Sequence, residues 1–97
     1  MKTFDIGQID EVIHARMRLG IMAYLADAEM ADFNTLKALL QTTQGNLSVH
    51  LRKLEDAGYI AIEKGFSGRK PLTRARMTPA GRQAFATYIE ALVKLIA

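Results

Sequence analysis

Residues 42–60, TTQGNLSVHLRKLEDAGYI, constrain the fold of this chain more than any other stretch of its sequence. Thr43 is of the residue type that begins helices, because its hydroxyl can accept a hydrogen bond from a free backbone N–H. Gly58 stands where a helix that ends in the left-handed conformation favours glycine. Between them, three leucines follow the i, i+4, i+7 spacing of one helix face, namely Leu47, Leu51 and Leu54. The stretch therefore predicts a helix over about residues 43–57.

The residues before this helix predict two more helices. The first begins near residues 8–10 with Asp10 as its N-cap, and apolar residues at helical spacing continue it to about Ala26. A brief strand is expected within residues 28–33, AEMADF. Asn34 is expected as the N-cap of a short second helix, which makes the helix over residues 43–57 the third.

The residues after the third helix predict a β-hairpin and a final helix. Polar and apolar residues alternate in 59–64 and again in 72–77, and the segment between them, GFSGRKP, is a turn region. Thr78 before Pro79 pairs an N-cap with a proline at the first helical position, and the last helix runs to near Leu95. The order predicts a mainly α (α+β) domain with the layout of a winged helix-turn-helix, whose antiparallel hairpin is the wing.

The composition suits one domain over residues 1–97 and excludes several kinds of chemistry. Its 97 residues, 49% of them hydrophobic, suffice for one modest core. Without cysteine, the chain has no disulfide, thiolate metal site or cysteine nucleophile. No apolar run reaches the length of a signal peptide or of a bilayer span, so we expect a soluble cytoplasmic protein without membrane contact.

Positive charge is concentrated in the second half of the chain. Residues 1–48 hold four basic and six acidic side chains, a balance of −2, and residues 49–97 hold nine basic and four acidic, a balance of +5. Residues 64–89 hold six basic side chains and no acidic one. Such asymmetry indicates a polyanionic partner, although a solvated face on an ordinary basic protein would give the same count. Charge alone leaves both interpretations open.

The outward face of the third helix carries short side chains. A projection at 100° per residue places Gly45, Val49 and Arg52 opposite the leucines. Ser48 and Lys53 lie on the flanks of that face. A helix that enters the major groove of DNA needs such a face, because small early residues let its backbone approach the base edges. The alternative, which the helix taken alone favours, is an amphipathic helix with a solvated face, although such faces are usually richer in Glu and Lys.

Three motifs give the chain a family resemblance. SVHLRKL, residues 48–54, is similar to the S-x-H-L-x-x-L pattern of the ArsR group of prokaryotic transcription regulators. TPAGR, residues 78–82, is similar to the T-x-x-G-R opening of the last helix in MarR-like proteins, and RLGIM, residues 18–22, resembles the first core helix of the ArsR group. From about Ile13 to Ile96 the chain therefore resembles a small prokaryotic winged helix-turn-helix regulator of the ArsR/MarR-like kind.

This resemblance implies a DNA-binding regulator of transcription, more often a repressor in such families, that acts as a homodimer on double-stranded DNA. It does not extend to metal sensing, because the chain lacks cysteine and its only histidines are His14 and His50. His50 is expected to pack at the edge of the third helix and to hydrogen-bond locally. No metal or cofactor is expected, and a small-molecule or protein effector stays an open question.

The wing, residues 64–76, is predicted to hold the DNA beside the third helix. Five of its thirteen residues are basic, and its one phenylalanine either folds back on the wing or contacts a sugar. Arg69 or Lys70 would enter the adjacent minor groove, while Arg74 and Arg76 would face phosphates. A charged hairpin that protects a sheet edge is the alternative. The predicted DNA-binding residues are Thr43, Gln44, Gly45, Asn46, Ser48, Val49, Arg52, Lys53, Arg69, Lys70, Arg74 and Arg76.

The last helix is apolar around most of its circumference. A monomer of this size would struggle to bury such a helix on both sides, so a partner subunit is predicted, with packing on its own domain alone as the alternative. Apolar residues near the N-terminus would join that interface. The predicted dimer-interface residues are Phe4, Ile6, Ile9, Phe85, Tyr88, Ile89, Leu92, Leu95 and Ile96.

The leading hypothesis is thus a homodimeric, sequence-specific DNA-binding regulator. The alternative is a winged-helix protein–protein interaction module without sequence-specific DNA binding, which would need neither a basic wing nor a short-chained helix face. The sequence has no paired carboxylates beside a histidine, no phosphate-binding loop and no nucleophile motif. Nothing in it therefore indicates an enzyme.

Overall fold

The computed structural model describes residues 4–97 as four α-helices and a three-stranded antiparallel sheet, preceded by a 3-10 turn at Ile6–Gln8. The helices are α1 (Arg16–Ala28), α2 (Phe33–Leu39), α3 (Gln44–Asp56) and α4 (Pro79–Ile96). The strands are β1 (Met30–Asp32), β2 (Ile60–Ser67) and β3 (Lys70–Met77). This order confirms the predicted α+β winged-helix fold, including the brief first strand and the long last helix.

α1 begins later than predicted, so the start near residues 8–10 and the assignment of Asp10 as its N-cap are wrong. One oxygen of the Asp10 carboxylate accepts hydrogen bonds from the backbone N–H groups of Val12 (2.8 Å) and Ile13 (3.2 Å). This carboxylate caps a single turn, after which the chain is extended before α1 begins. The second carboxylate oxygen accepts a hydrogen bond from the Tyr59 hydroxyl at 2.5 Å, which ties this turn to the start of β2.

The N-cap of α2 is Asp32, which corrects the prediction of Asn34. The Asp32 carboxylate accepts hydrogen bonds from the backbone N–H of Thr35 (2.8 Å) and from the Thr35 hydroxyl (3.0 Å). Asp32 ends β1 in an extended conformation, the backbone geometry that an N-cap needs, whereas Asn34 already lies in the first turn. Asp32 and Asn34 are both suited to capping, and the pairing of β1 with the sheet makes Asp32 the N-cap.

Both predicted ends of α3 are confirmed. The Thr43 hydroxyl accepts a hydrogen bond from the backbone N–H of Asn46 at 3.1 Å. Gly58 has φ +80°, the left-handed conformation that follows a helix end. The chain then enters β2 directly, so α3 and the wing are joined by a short and well-defined connection.

The strands are ordered β1-β3-β2, with every pair antiparallel. β2 and β3 pair from Ile60–Met77 to Ser67–Lys70, which leaves only Gly68 and Arg69 in the turn. Most of the segment predicted as a turn region, residues 65–71, is therefore strand. Gly68 has φ +64°, which suits a tight two-residue hairpin turn.

The core lies between α1, α3 and the inner face of the sheet. Its buried residues are Ile9, Ile13, Ile21, Met22, Leu25, Ala31, Leu36, Leu47, Leu51, Leu54, Ile60, Ala75, Met77 and Tyr88. α4 buries only Gly81 and Tyr88 among its 18 residues. The molecule is accordingly elongated, at 59 × 25 × 21 Å. Within residues 4–97, no helix has the length and apolar character that a bilayer span requires.

Candidate nucleic-acid interface

The inward face of α3 is anchored by its leucines, each of which is at most 5% exposed. Their burial fixes the rotation of the helix about its axis, so the opposite face must point outward. Seven predicted DNA-binding residues of α3 are exposed there: Gln44, Gly45, Asn46, Ser48, Val49, Arg52 and Lys53. A Cβ atom added to Gly45 would meet no atom within 4 Å, and Val49 is 53% exposed. The face is therefore open to an approaching macromolecule.

Side chains at the start of α3 hold the helix terminus in place. The Asn46 side-chain amide donates a hydrogen bond to the Thr42 hydroxyl at 2.8 Å, beside the bond from the Asn46 backbone to Thr43. Gln44 and Ser48 are the exposed polar side chains of the first turns that do not take part in this cap. The cap positions the helix, and Gln44 and Ser48 are placed to hydrogen-bond with a partner.

His50 packs at the edge of α3 and hydrogen-bonds locally, as predicted. Its Nδ1 lies 3.0 Å from Nη1 of Arg18 on α1. Because arginine can only donate, His50 Nδ1 accepts this bond and its proton is on Nε2. Partial burial, followed by the positive charges of Arg18 and Lys53, lowers the pKa of His50 below its ordinary 6.5.

Arg18 is a positioning residue that sequence reasoning missed. Its Nε donates a hydrogen bond to the carbonyl oxygen of Val12, and its Nη1 holds His50, so it joins the N-terminal segment to α3. In the sequence, Arg18 is only part of a motif that resembles a core helix. The signal that could have identified it is a charged side chain in the first turn of a helix whose next turns are apolar.

The first turns of α3 and the middle of the wing line one cleft. The cleft has a volume of about 390 Å³. The lining residues from α3 are Gln44 and Ser48, those from α2 are Phe33 and Asn34, and those from the wing are Lys64, Pro71, Leu72 and Thr73. The fold thus brings the short-chained helix face and the wing together, as predicted.

The wing carries its charged side chains on two different faces. Lys64 and Thr73 are cross-strand partners on the face that lines the cleft. Arg74 and Arg76 fall on the other face by the alternation of the strand, and Arg76 forms an ion pair with Glu63. The two arginines do share a face, as predicted, and it is the face opposite to that of Lys64 and Thr73.

Arg74 has acidic cross-strand neighbours, unlike the basic residues at the wing tip. Arg74 pairs in register with Asp32 of β1 on one side and with Glu63 of β2 on the other. Arg69, in contrast, occupies the exposed hairpin turn, and Lys70 follows it. The positive charge of the wing that lacks an acidic cross-strand neighbour is therefore at the tip, together with Lys64 in the cleft.

The apolar residues of α4 divide into a buried group and an exposed group. Ile89 (41% exposed), Val93 (51%) and Ile96 (73%) follow i, i+4, i+7 spacing and form an exposed apolar stripe. Near the N-terminus, Phe4 and Ile6 are also exposed. Phe85, Leu92 and Leu95 are half-buried against the core.

Ile9 and Tyr88 do not belong with the predicted dimer-interface residues. Ile9 is 7% exposed and Tyr88 1% exposed, so neither has a surface to offer to a partner. The Tyr88 hydroxyl lies 2.8 Å from His14 Nδ1, so the two groups are hydrogen-bond partners within the chain. Burial also raises the pKa of the Tyr88 hydroxyl. Both residues are part of the core.

Metal-binding geometry is not found in the part of the chain that the structure describes. Across residues 4–97, no three His, Asp or Glu side chains come together as a possible metal site. His14 precedes α1 and contacts Tyr88, whereas His50 lies on α3 and contacts Arg18.

Comparisons with known proteins agree with this geometry. A family model described as a winged helix DNA-binding domain matches residues 17–96. The chain is 35% identical over 85 residues to an uncharacterised protein of Methanocaldococcus jannaschii, covering 88% of this chain and 92% of that protein.

Solved structures share the fold. A transcriptional regulator homologue from Pyrococcus horikoshii OT3 superposes with a TM-score of 0.84 at 30% identity, covering 90% of this chain and 86% of the other. NadR in complex with 4-hydroxyphenylacetate gives a TM-score of 0.72 at 19% identity, covering 89% of this chain and 60% of NadR. At 19% identity the second match concerns the fold alone.

Proposed function

The chain belongs to the family of winged helix DNA-binding domains, and we propose that it is a sequence-specific transcriptional repressor that acts as a homodimer. Membership confirms the resemblance to small winged-helix regulators seen in its sequence. One observation carries the proposal: Gln44 and Ser48, in the first turns of α3, line a single cleft together with Lys64 and its neighbours on the wing. That arrangement suits a duplex whose major groove receives α3 and whose backbone meets the wing.

We assign base recognition to the exposed face of α3. Gln44 and Ser48 can hydrogen-bond to base edges or phosphates, and Val49 can contact a thymine methyl group. Arg52, one turn after Ser48, is exposed and long enough to reach a guanine edge. Because Gly45 has open space around it, the helix backbone can approach the groove closely.

We assign sequence-independent affinity to the tip and the cleft side of the wing. Arg69 and Lys70 are exposed at the tip, where they can meet phosphates or enter the minor groove. Arg74 and Arg76 remain predicted phosphate contacts, but their acidic neighbours argue for smaller contributions. An arginine that already has a carboxylate beside it gains less binding free energy from a phosphate.

We assign dimerisation to the exposed stripe of α4, with Phe4 and Ile6 beside it. Three large apolar side chains on one helix face are best covered by the same face of a second copy, which is the commonest form of homodimer. Two-fold symmetry would place two copies of α3 about 34 Å apart on one side of the duplex. Repression would then follow from occupancy of a near-palindromic site.

Selection of bound duplexes from a random DNA pool tests the proposal, carried out at about 50 and 200 mM salt. An enriched near-palindrome with half-sites about 10 bp apart is the expected result. Binding without enrichment would contradict sequence specificity. An absence of binding at the lower salt concentration would favour the protein-interaction module instead.

Two kinds of variant separate the roles within this interface. Arg52→Ala is expected to relax preference at one position of each half-site, at a cost of about 1–3 kcal/mol. Arg69→Ala and Lys70→Ala are expected to weaken binding to all sequences and to reduce the salt dependence by about one phosphate contact each. Competition binding with the selected duplex and a scrambled duplex measures both effects. Unchanged affinity of the wing variants at low salt would remove the wing from the interface.

A further inference from the structure

An apolar ridge near the tip of the wing is left unexplained by phosphate binding. Phe66 is 73% exposed, although it lies in a regular strand with a paired neighbour. Its cross-strand partner is Pro71, which is exposed as well. Directly opposed residues of an antiparallel pair project from the same face, so the two form one continuous apolar ridge. A rigid proline and a large aromatic ring make this ridge stiff.

The ridge is on the side of the wing that faces α3. Phe66 shares a face with Lys64 two residues earlier, and Pro71 shares that face with Thr73. Lys64, Pro71 and Thr73 line the cleft opposite α3. The ridge therefore extends the cleft wall outward, whereas Arg74 and Arg76 lie on the reverse face.

The basic residues around the ridge indicate the kind of partner that it would contact. Lys64, Arg69 and Lys70 lie within four residues of Phe66, and residues 64–89 contain no acidic side chain. A second copy would bring an equally basic wing and be repelled, whereas a polyanion would be attracted. Among polyanions, duplex DNA combines phosphates with the apolar surface of the sugars that line its minor groove, and base faces become accessible there when a step unstacks.

We propose that Phe66, supported by Pro71, is an apolar wedge that enters the DNA minor groove beside each half-site and partly unstacks one base step. The inference rests on the proposed function, since it requires duplex binding. Apolar side chains inserted between base steps bend the duplex, and pyrimidine–purine steps unstack most easily. The wedge thus adds a preference for a deformable step at positions that α3 does not reach.

Three proteins test this inference on the duplex obtained from the selection: the wild type, Phe66→Ala, and the exchange Phe66→Ser with Ser67→Phe. The exchange keeps the composition and moves the ring to the opposite face of the strand. Because Phe66 is exposed, neither variant removes a core contact. Binding is measured by fluorescence anisotropy, and unstacking by 2-aminopurine placed at successive steps of the flanking sequence.

The wild type is expected to raise 2-aminopurine fluorescence at one flanking step. Phe66→Ala and the exchange are expected to lose that signal and to bind about tenfold more weakly, the order expected when one aromatic contact to a base is lost. The slope of affinity against salt should not change, because no charge is altered. If both variants bind as tightly as the wild type, the wedge is wrong while the proposed function stands. If the wild type binds no duplex at all, both the wedge and the proposed function are wrong.

Discussion

α3 and α4 begin in the same way but use their first turns for different purposes. Each follows an extended threonine, Thr43 or Thr78, whose hydroxyl accepts a hydrogen bond from the N–H three residues later. Each also has a glycine in its first turn. A Cβ added at Gly45 would meet nothing within 4 Å, whereas one added at Gly81 would lie 1.9 Å from the carbonyl oxygen of Tyr59.

The two glycines show that one residue type in the first turn of two helices can be there for different reasons, depending on what surrounds it. Gly81 is required by the chain itself, since α4 crosses the end of the α3–β2 connection too closely for a side chain. Gly45 is not required by any contact within the protomer. The outward faces differ in the same sense, because that of α3 is polar and that of α4 carries the apolar stripe. We therefore expect the first to meet DNA and the second to meet another copy.

The largest effect is expected at the packed glycine. Gly81→Ala forces α4 away from Tyr59, and we expect the free energy of unfolding to fall by about 3 kcal/mol or more, as for severe overpacking of a core. Urea denaturation measures the change. Gly65→Ala is the matched control, because a Cβ there meets nothing within 4 Å and should cost under about 1 kcal/mol. Equal losses in both variants would contradict the close-packing explanation.

The next effect is expected on the apolar stripe of α4. Val93→Asp places a charge in the middle of the proposed interface, and we expect dimerisation to weaken about 100-fold, or about 2.7 kcal/mol. Sedimentation velocity at several concentrations measures the change. Val93 is 51% exposed, so the protomer itself should remain folded.

The control for this prediction adds the same charge elsewhere on α4. Gln83 begins the second turn and lies on a different face, so Gln83→Asp should leave the dimer intact, since an acidic residue is tolerated near a helix N-terminus. A dimer that survives Val93→Asp would show that the stripe is not the interface. The apolar exposed face of α4 would then not indicate a second copy of the chain as its partner, even though it differs in polarity from the exposed face of α3.

A smaller effect is expected at Gly45, where a substitution should raise the stability of the fold but lower its affinity for DNA. Gly45→Ala should raise the free energy of unfolding by up to about 1 kcal/mol, because alanine favours the helix and no atom obstructs its Cβ. The same methyl group should hold α3 away from the major groove and weaken DNA binding about tenfold, or about 1.4 kcal/mol. Thermal unfolding and anisotropy measure the two quantities. A more stable variant with full DNA affinity would show that close approach at this position is not needed.

The capping and periodicity of the chain after residue 43 were enough to predict most of the fold. Local signals determine these elements: Thr43 and Thr78 cap helices, Gly58 is left-handed, and the leucines of α3 are buried. The exposed face of α3 follows directly from that burial. It could therefore be predicted residue by residue, although its contact with DNA remains a prediction.

What could not be predicted depends on contacts between distant residues. Asp10 resembles an N-cap, but its bond to Tyr59, 49 residues later, belongs to a turn instead. Tyr88 lies on the apolar side of α4, yet its contact with His14 makes it a core residue. The ion pair of Arg76 with Glu63 depends on strand register, which one-dimensional alternation does not specify.

The last and smallest effect concerns the attachment of α3 to α1 rather than its outward face. Partial burial, then the charges of Arg18 and Lys53, lowers the pKa of His50, so the folded chain binds its proton less readily than the unfolded chain. Stability from this group is complete above about pH 6.5 and is lost as the pH falls from there towards the lowered pKa. Protonation also prevents His50 Nδ1 from accepting the Arg18 hydrogen bond.

His50→Gln should remove this part of the acid destabilisation, because glutamine keeps an acceptor for Arg18 but does not titrate. Urea midpoints of the wild type and of His50→Gln, taken from pH 8 to about pH 5, should run parallel above about pH 6.5, and below it the wild-type midpoint should fall relative to that of the variant. His14→Gln is measured alongside as the control for the second histidine. Parallel curves over the whole range would mean that the Arg18–His50 contact does not anchor α3. The fixed orientation of its exposed face would then have to come from the three leucines alone.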